Sequence, residues 1–318
     1  MKILANDGIS QSGIEALEKS GFEVDLTKVA QDQLIDYINK KNIEVLLVRS
    51  ATKVRKDLID ACPDLKIIGR GGVGMDNIDV EYAKNKGIKV INTPAASSRS
   101  VAELVFAHLF GAVRFLNNAN RDMPLEGDSK FKELKKSYAK GIELRGKTLG
   151  IVGFGRIGRE VAKIALGIGM NVIARGDELE TVAVELEFFN GQKTSLDIQK
   201  MPLEQVLAKA DFITLHVPAK KEYLIGKSEI EKMKPGAGII NTARGGVIDE
   251  VALVDALEDG KLGFAALDVF ENEPSPEIKI LMNPKISLSP HIGGSTVEAQ
   301  DRIGTELAEQ LIAIVNEK

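Results

Sequence analysis

The stretch TLGIVGFGRIGREVAKIALGIG, Thr148 to Gly169, narrows the fold more than any other part of the chain. A β-branched run, Thr148–Val152, leads into Gly153-x-Gly155-x-x-Gly158 and then into an amphipathic stretch ending at Gly167 or Gly169. A strand that opens through glycines into a helix predicts βαβ units and a mostly parallel sheet. The glycines permit a tight turn and a close backbone approach. The free N–H groups at the helix start suit a pyrophosphate. Asp177 follows Gly158 by about the 20 residues at which a dinucleotide fold places its ribose-binding acid.

The same rhythm runs through the rest of the chain. Upstream, candidate strands are Ile3–Ala5, Val45–Val48, Lys66–Ile68 and Lys89–Ile91, with SGIEALEKS and DQLIDYINKKN as intervening helices. Downstream of Thr148–Val152 they are Asn171–Ala174, Phe212–His216, Gly238–Asn241, Ala265–Val269 and Ile286–Leu288. Between the two series stands a long apolar helix, SVAELVFAHLFGAVRFLNNANR, with Ser98 or Ser100 as N-cap. It is apolar on more than one face, which suits packing against two bodies. The fold expected is α/β with two Rossmann-like, doubly wound domains. A last helix, about Thr296 to Asn316, can return to the first domain and make it discontinuous.

Composition narrows the function classes. A net charge of -4 without a basic block argues against wholesale binding of nucleic acid or anionic membrane. The patch KFKELKKSYAKG, Lys130 to Gly141, reads as a solvated helix face that could touch an anionic substrate. One cysteine, Cys62, allows no disulfide within the chain and fits a reducing cytoplasm. No apolar run has transmembrane length. One Cys and three scattered His draw no metal site.

A second glycine motif, Gly69-x-Gly71-x-x-Gly74, lacks the helix and the acid that a fingerprint needs. A turn, MDNID, follows it, and its helix starts only near Val80, capped by Asp79. Gly72-Val73-Gly74 still offers backbone N–H groups after a strand, a nest for an anion or a simple tight turn. For chemistry on an alcohol, a histidine base and a cation are needed. His108 sits in the apolar helix and reads as packed. His216 ends a strand and reads as cofactor lining. His291, in LSPHIGGST, lies in a loop from which a base can reach a substrate. Glu273 is the leading carboxylate to orient it, with Glu271 as competitor. Arg244, in NTARGGVID, is the candidate clamp for a substrate carboxylate.

GRGGVGMDNID, NTP, SVAE, GKTLGIVGFGRIGREVA, NTARGGVIDE, ALDVFENEP and SPHIGGST run in order over nearly the whole chain. Together they resemble the D-isomer-specific 2-hydroxyacid dehydrogenases, most closely the phosphoglycerate-oxidising branch in a short form without a regulatory ACT domain, so feedback through that domain is not expected. The resemblance implies a substrate-binding, flavodoxin-like domain from residues 1–98 plus 293–318 and an NAD-binding Rossmann domain from 99–292. It implies a homodimer through the helix after Ser98 and the segment following it. It implies hydride transfer between NAD and D-3-phosphoglycerate, giving 3-phosphohydroxypyruvate at the entry to serine synthesis, or between NAD and another D-2-hydroxy acid such as glycerate or lactate, or in the reverse sense with glyoxylate. A nicotinamide-sensing binding protein is the remote alternative.

The family's catalytic set falls on Arg244, Glu273 and His291. Arg244 holds the substrate's carboxylate and carbonyl region, His291 exchanges the hydroxyl proton, and Glu273 holds His291 in its protonated, correctly turned form. Cofactor contacts fall on Gly153, Gly155, Arg156, Ile157, Gly158, Asp177, His216, Val217, Pro218, Thr242, Ala243, Asp268, Gly293 and Gly294, with Asp268 near the nicotinamide amide. Arg244 and His291 also face the cofactor. Substrate contacts fall on Arg49, Ser50, Gly72, Val73 and Gly74. Where the family carries its ribose-binding acid, this chain has Gly176 between Arg175 and Asp177. Asp177 binding the ribose of NAD is favoured over Arg175 meeting the 2′-phosphate of NADP. The adjacent ETVAVELEFFNGQKTSLDIQKMP looks rearranged.

Overall fold

A computed structural model describes residues 1–218 and 221–316. It divides into two compact units, Met1–Ser100 with Gly294–Lys318, and Val101–Gly293. The first division falls after Ser100, inside the helix Ser98–Val113, where the expected one falls after residue 98. The last two residues of the expected substrate-binding domain, 317 and 318, lie outside the described residues.

The first unit carries β1 (Lys2–Ala5), β2 (Glu23–Asp25), β3 (Val45–Val48), β4 (Ile67–Arg70) and β5 (Lys89–Asn92). They form one parallel sheet in the order β2-β1-β3-β4-β5. Alternate residues feed two cores, as strand geometry requires. Leu4, Leu46, Val48 and Ile68 pack with Leu34, Ile38 and Leu58 on one side. Ile3, Ala5, Val45, Leu47 and Ile67 pack with Leu17, Ala308 and Leu311 on the other. The helices Gln11–Lys19 and Val297–Asn316 supply that second layer. They meet at Gly13 and Gly304, so closely that a Cβ on Gly13 would lie 2.8 Å from the Gly304 carbonyl. β2 was not foreseen: three residues, two of them acidic, give no apolar signal. Asp79 stands at the N-cap of Val80–Asn85 without capping it. Its carboxylate instead accepts from Arg55 Nη1 at 2.9 Å and from the N–H of Lys56, the first residue of the neighbouring helix Lys56–Ala61, at 3.1 Å.

The second unit carries β6 (Thr148–Val152), β7 (Asn171–Arg175), β8 (Glu180–Glu187), β9 (Lys193–Met201), β10 (Phe212–Leu215), β11 (Ala237–Asn241), β12 (Leu262–Leu267) and β13 (Ile286–Leu288). Their order is β13-β12-β11-β10-β6-β7-β9-β8. All neighbours are parallel except β8, which pairs antiparallel with β9 at the edge. The sheet reverses direction of build between β6 and β10, the switch point outside which doubly wound sheets bind ligands. β8 and β9 were not expected as strands. They are a hairpin inserted after β7, and they occupy the stretch whose pattern looked rearranged. The expected long helix is also broken. It runs Ser98–Val113, turns through Phe115 in the left-handed region (φ 55), and resumes as Leu116–Glu126 at 58°.

Candidate active site

The turn after β6 explains its own glycines. Gly153 has φ 104, and a Cβ there would sit 2.4 Å from the His216 carbonyl oxygen at the end of β10. A Cβ on Gly158 would sit 2.2 Å from the Gly153 carbonyl, so helix and strand pack at a distance only glycine allows. Gly155 differs, because a Cβ there would meet nothing within 4 Å. That open space lies at the N-cap of the helix Arg156–Gly167, where no side chain caps the first N–H groups. The arrangement fits a pyrophosphate on the helix start. Arg156 is exposed and Ile157 packs against the core beneath. Beside the turn is a cleft of about 550 Å³ lined by Gly153, Phe154, Val217, Arg175, Asp177 and Lys200, among others. Gly153, Asp177 and Val217 of the expected cofactor set therefore share one cleft. Lys200, on β9, was not anticipated.

His216 is part-buried at the end of β10, and burial pulls its imidazole down to about 3. It is a neutral partner of Thr214 Oγ1, 2.9 Å away. Thr242, Ala243 and Arg244 follow β11, where the buried Asn241 fixes them: its Oδ1 accepts from Ala243 N at 3.0 Å and its Nδ2 donates to the Arg244 carbonyl at 2.9 Å. Gly245 then lies so close to the Phe270 carbonyl that a Cβ would be 1.8 Å from it. The Arg244 turn is thereby seated against the loop that carries Glu273.

Glu273 and His291 are in contact. Glu273 Oε2 is 2.8 Å from His291 Nδ1, and Oε1 accepts from Phe270 N at 3.0 Å. Glu271, the competitor, points elsewhere: it exchanges hydrogen bonds with Glu250 and accepts from Tyr223 Oη at 3.1 Å. Against the pair lies a cavity of about 410 Å³ walled mainly by Phe270, Pro274, Leu281, Leu288 and Pro290.

His291 has φ 55, a left-handed conformation that costs a residue with a Cβ about 1–2 kcal/mol. Asp268 holds it there. The Asp268 carbonyl accepts from His291 N at 2.8 Å; its carboxylate accepts from Ile292 N and Gly293 N, each at 2.8 Å, and from Ser289 Oγ at 2.6 Å. Behind Ser289 the bonds continue in one direction. Asn117 donates to Ser287 Oγ at 2.5 Å, Ser287 lies 2.6 Å from His108 Nδ1, and His108 Nε2 lies 2.8 Å from Ser289 Oγ. Because Ser289 donates to Asp268, it must accept from His108 Nε2–H, and with Ser287, which accepts from Asn117, donating to Nδ1 the ring is neutral. Burial, which lowers the His108 pKa, favours the same form, against a smaller opposing pull from Asp268. His108 is thus bonded at both ring nitrogens, more than the packed residue read from its apolar helix. Ser289 and Asn241 were missed as site residues, although they open the stretches SPHIGGST and NTARGGVIDE.

Pro218 follows Val217 beyond the end of β10, and the residues that remain belong to the first unit. Arg49 and Ser50 follow β3, and Gly72, Val73 and Gly74 follow its neighbour β4. Gly72 has φ 136, a backbone conformation that residues with a Cβ rarely adopt, and the Arg70 guanidinium lies over it. Arg49 runs alongside Gly71, whose Cβ would be 3.5 Å from Arg49 Cγ. No helix opens inside this turn; Val80–Asn85 starts later. Gly294 lies beside Ser97 and accepts from Gln300 Nε2 at 2.9 Å.

A doubly wound sheet with a glycine turn at its switch point defines a dinucleotide-binding fold, and an oriented histidine beyond its last strand makes it one with acid–base chemistry to offer. Residues 106–293 match the family model "D-isomer specific 2-hydroxyacid dehydrogenase, NAD binding domain". The chain belongs to that family. It is 43% identical to a D-3-phosphoglycerate dehydrogenase of Methanocaldococcus jannaschii over 98% of this chain and 57% of that protein. It is also 43% identical to a hydroxypyruvate reductase of Thermotoga maritima, over 98% of this chain and 97% of the relative. The chain thus spans 57% of the length of the first of these relatives and nearly all of the second. Among solved structures, a glyoxylate reductase from Paecilomyes thermophila superposes with a TM-score of 0.80 at 30% identity, over 99% of this chain and 94% of the other.

Proposed function

We propose that the protein interconverts D-3-phosphoglycerate and 3-phosphohydroxypyruvate with NAD as the redox partner. The observation that carries this reading is the 2.8 Å contact between His291 and Glu273 in the unit that also holds the glycine turn. A bound dinucleotide supplies the hydride acceptor at its nicotinamide ring. His291, donating from Nδ1 to Glu273, presents Nε2 to the substrate hydroxyl and takes its proton as the C2 hydride leaves. Glu273 stabilises the resulting imidazolium and fixes the ring. Arg244 binds the carboxylate and polarises the developing carbonyl. In the first unit, Arg49, Ser50 and the N–H groups of Gly72-Val73-Gly74 serve as anion-binding groups for an acidic substrate. The lysines from Lys132 to Lys140 are further cations for a phosphate.

Assembly as a homodimer belongs to the same reading. Its support is the run of exposed apolar side chains after Ser98, with Phe110, Leu116, Met123, Leu125 and Phe131 between 43% and 78% exposed. A cytoplasmic location rests on the single cysteine.

Hydroxypyruvate reduction is the second reading. It is supported by the 43% identity to the Thermotoga maritima relative over the 316 residues matched. Initial rates with NADH and a panel of 2-keto acids separate the two. Turnover of 3-phosphohydroxypyruvate well above that of hydroxypyruvate supports the first, and the reverse order supports the second. No turnover of any 2-keto acid or 2-hydroxy acid would overturn both and favour a binding role.

A further inference from the structure

The hairpin β8–β9 has a consequence for the ribose end of the cleft. Gly176 stands where the resembled family has its acid, and the space of the missing side chain is taken. A Cβ on Gly176 would lie 2.9 Å from Lys200 Cβ and 3.3 Å from Lys200 Cε. Lys200 is placed there by register. It pairs with Ala174 of β7 on one side and with Glu180 of β8 on the other. Its ammonium forms an ion pair with the Glu180 carboxylate. The lysine side chain is 22% exposed and the glutamate 53%. Both line the cleft, together with Arg175, Asp177 and Glu178.

Two cations, Arg175 and Lys200, therefore stand where a dinucleotide seated on Gly153–Gly158 directs its adenosine ribose. A 2′-phosphate there would be matched by both in charge-assisted hydrogen bonds. Glu180 opposes this in two ways. It occupies the Lys200 ammonium, and with Asp177 and Glu178 it makes the cleft repel a dianion. The same carboxylates suit the uncharged 2′-hydroxyl.

We propose that Glu180 is a specificity-determining residue: by holding Lys200 it keeps the cleft selective for a dinucleotide without a 2′-phosphate. Cofactor choice is then set by a cross-strand pair in the inserted hairpin rather than by the residue that ends β7. This rests on the reading of the cleft as the adenosine site of the dinucleotide.

The test is calorimetric titration of the full chain with NADH and with NADPH, which needs no substrate. The wild type is expected to bind NADH more tightly. Glu180→Gln should shift the ratio of the two dissociation constants towards NADPH by about tenfold, the worth of one freed charge-assisted bond. Lys200→Met added to Glu180→Gln should cancel that gain. Glu180→Ser provides an independent second replacement with the same expected direction, should the amide variant fold poorly. An unchanged ratio in a folded Glu180 variant, a gain that persists without Lys200, or a wild type that prefers NADPH would each overturn the proposal. Failure of the wild type to bind either dinucleotide would overturn the reading of the cleft itself, and the proposal with it.

Discussion

The backbone N–H of His291 donates to the carbonyl of Asp268 at 2.8 Å, while the Asp268 carboxylate gathers the next two N–H groups. A left-handed histidine is thus tied to a strand end by the residue that directly follows β12. Its hold is reinforced from Ser289 and, behind it, His108. Removing the Ser289 hydroxyl leaves the His108 Nε2–H without its acceptor and should cost about 1–3 kcal/mol of stability. Ser289→Ala is expected to lower the urea midpoint and also kcat, because the His291 loop loses an anchor. Ser289→Thr keeps the hydroxyl and should restore both. A kcat unaffected by Ser289→Ala would show that the loop holds its shape without this chain of bonds.

His291→Ala should reduce kcat by about 10²- to 10⁴-fold, the usual worth of a positioned acid–base group. Glu273→Gln should cost less, because an amide still orients the ring but does not stabilise its charged form. Glu271→Gln should leave kcat near that of the wild type, since Glu271 is engaged with Glu250 and Tyr223. Steady-state rates at saturating substrate check all three. An active His291→Ala enzyme would remove this residue as the base.

The glycine turn permits a sharper distinction. Gly158→Ala puts a methyl 2.2 Å from the Gly153 carbonyl and should lower the melting temperature. Gly155→Ala meets no atom within 4 Å, so the variant should fold as the wild type does. It should nevertheless lose affinity for NADH, because the methyl enters the space assigned to the pyrophosphate. Thermal melts with and without NADH separate the two effects. Undiminished NADH binding by Gly155→Ala would place the pyrophosphate elsewhere.

Stability should fall on mild acidification. Burial lowers the His216 pKa to about 3, below the ordinary value of 6.5. Between these values the unfolded chain binds a proton that the folded chain refuses, so unfolding is favoured as pH drops. The His216 contribution is fully present above pH 6.5 and is lost progressively towards pH 3. His108 acts in the same direction. Melting temperatures measured from pH 7.5 to 5 should decline less steeply for His216→Asn than for the wild type. Parallel slopes would show that His216 does not carry this dependence.

Much of this was legible before any coordinates. The glycine turn could be told from its decoy because only one of the two motifs opens directly into a helix. Arg244, Glu273 and His291 could be chosen because each follows a strand at the sheet's carboxyl edge. Glu273 could not be separated from Glu271 by its position alone, since both lie in the same loop; in the structure Glu273 lies against His291, while Glu271 bonds Glu250 and Tyr223. The hairpin β8–β9 did carry a signal: Val182, Val184 and Leu186 recur at every second position with Thr181, Ala183, Glu185 and Glu187 around them, and Asn190-Gly191 is a turn pair. What no local pattern could supply was register. Lys200 fills the place of a Gly176 side chain only because β9 pairs with β7 at that offset. The break at Phe115 had no glycine or proline to announce it. Ser289 likewise acquires meaning only from residues that tertiary packing brings to it.

The central claim is that a hydride passes between the dinucleotide and C2 of a 2-keto acid while His291 manages the proton. Incubation of the protein with NADH deuterated at the transferable C4 position and 3-phosphohydroxypyruvate or hydroxypyruvate, followed by proton NMR of the product, tests it directly. The expected result is a D-2-hydroxy acid with deuterium at C2 from the wild type and almost none from His291→Ala. NADH binding with no deuterium transferred to any 2-keto acid would contradict the account.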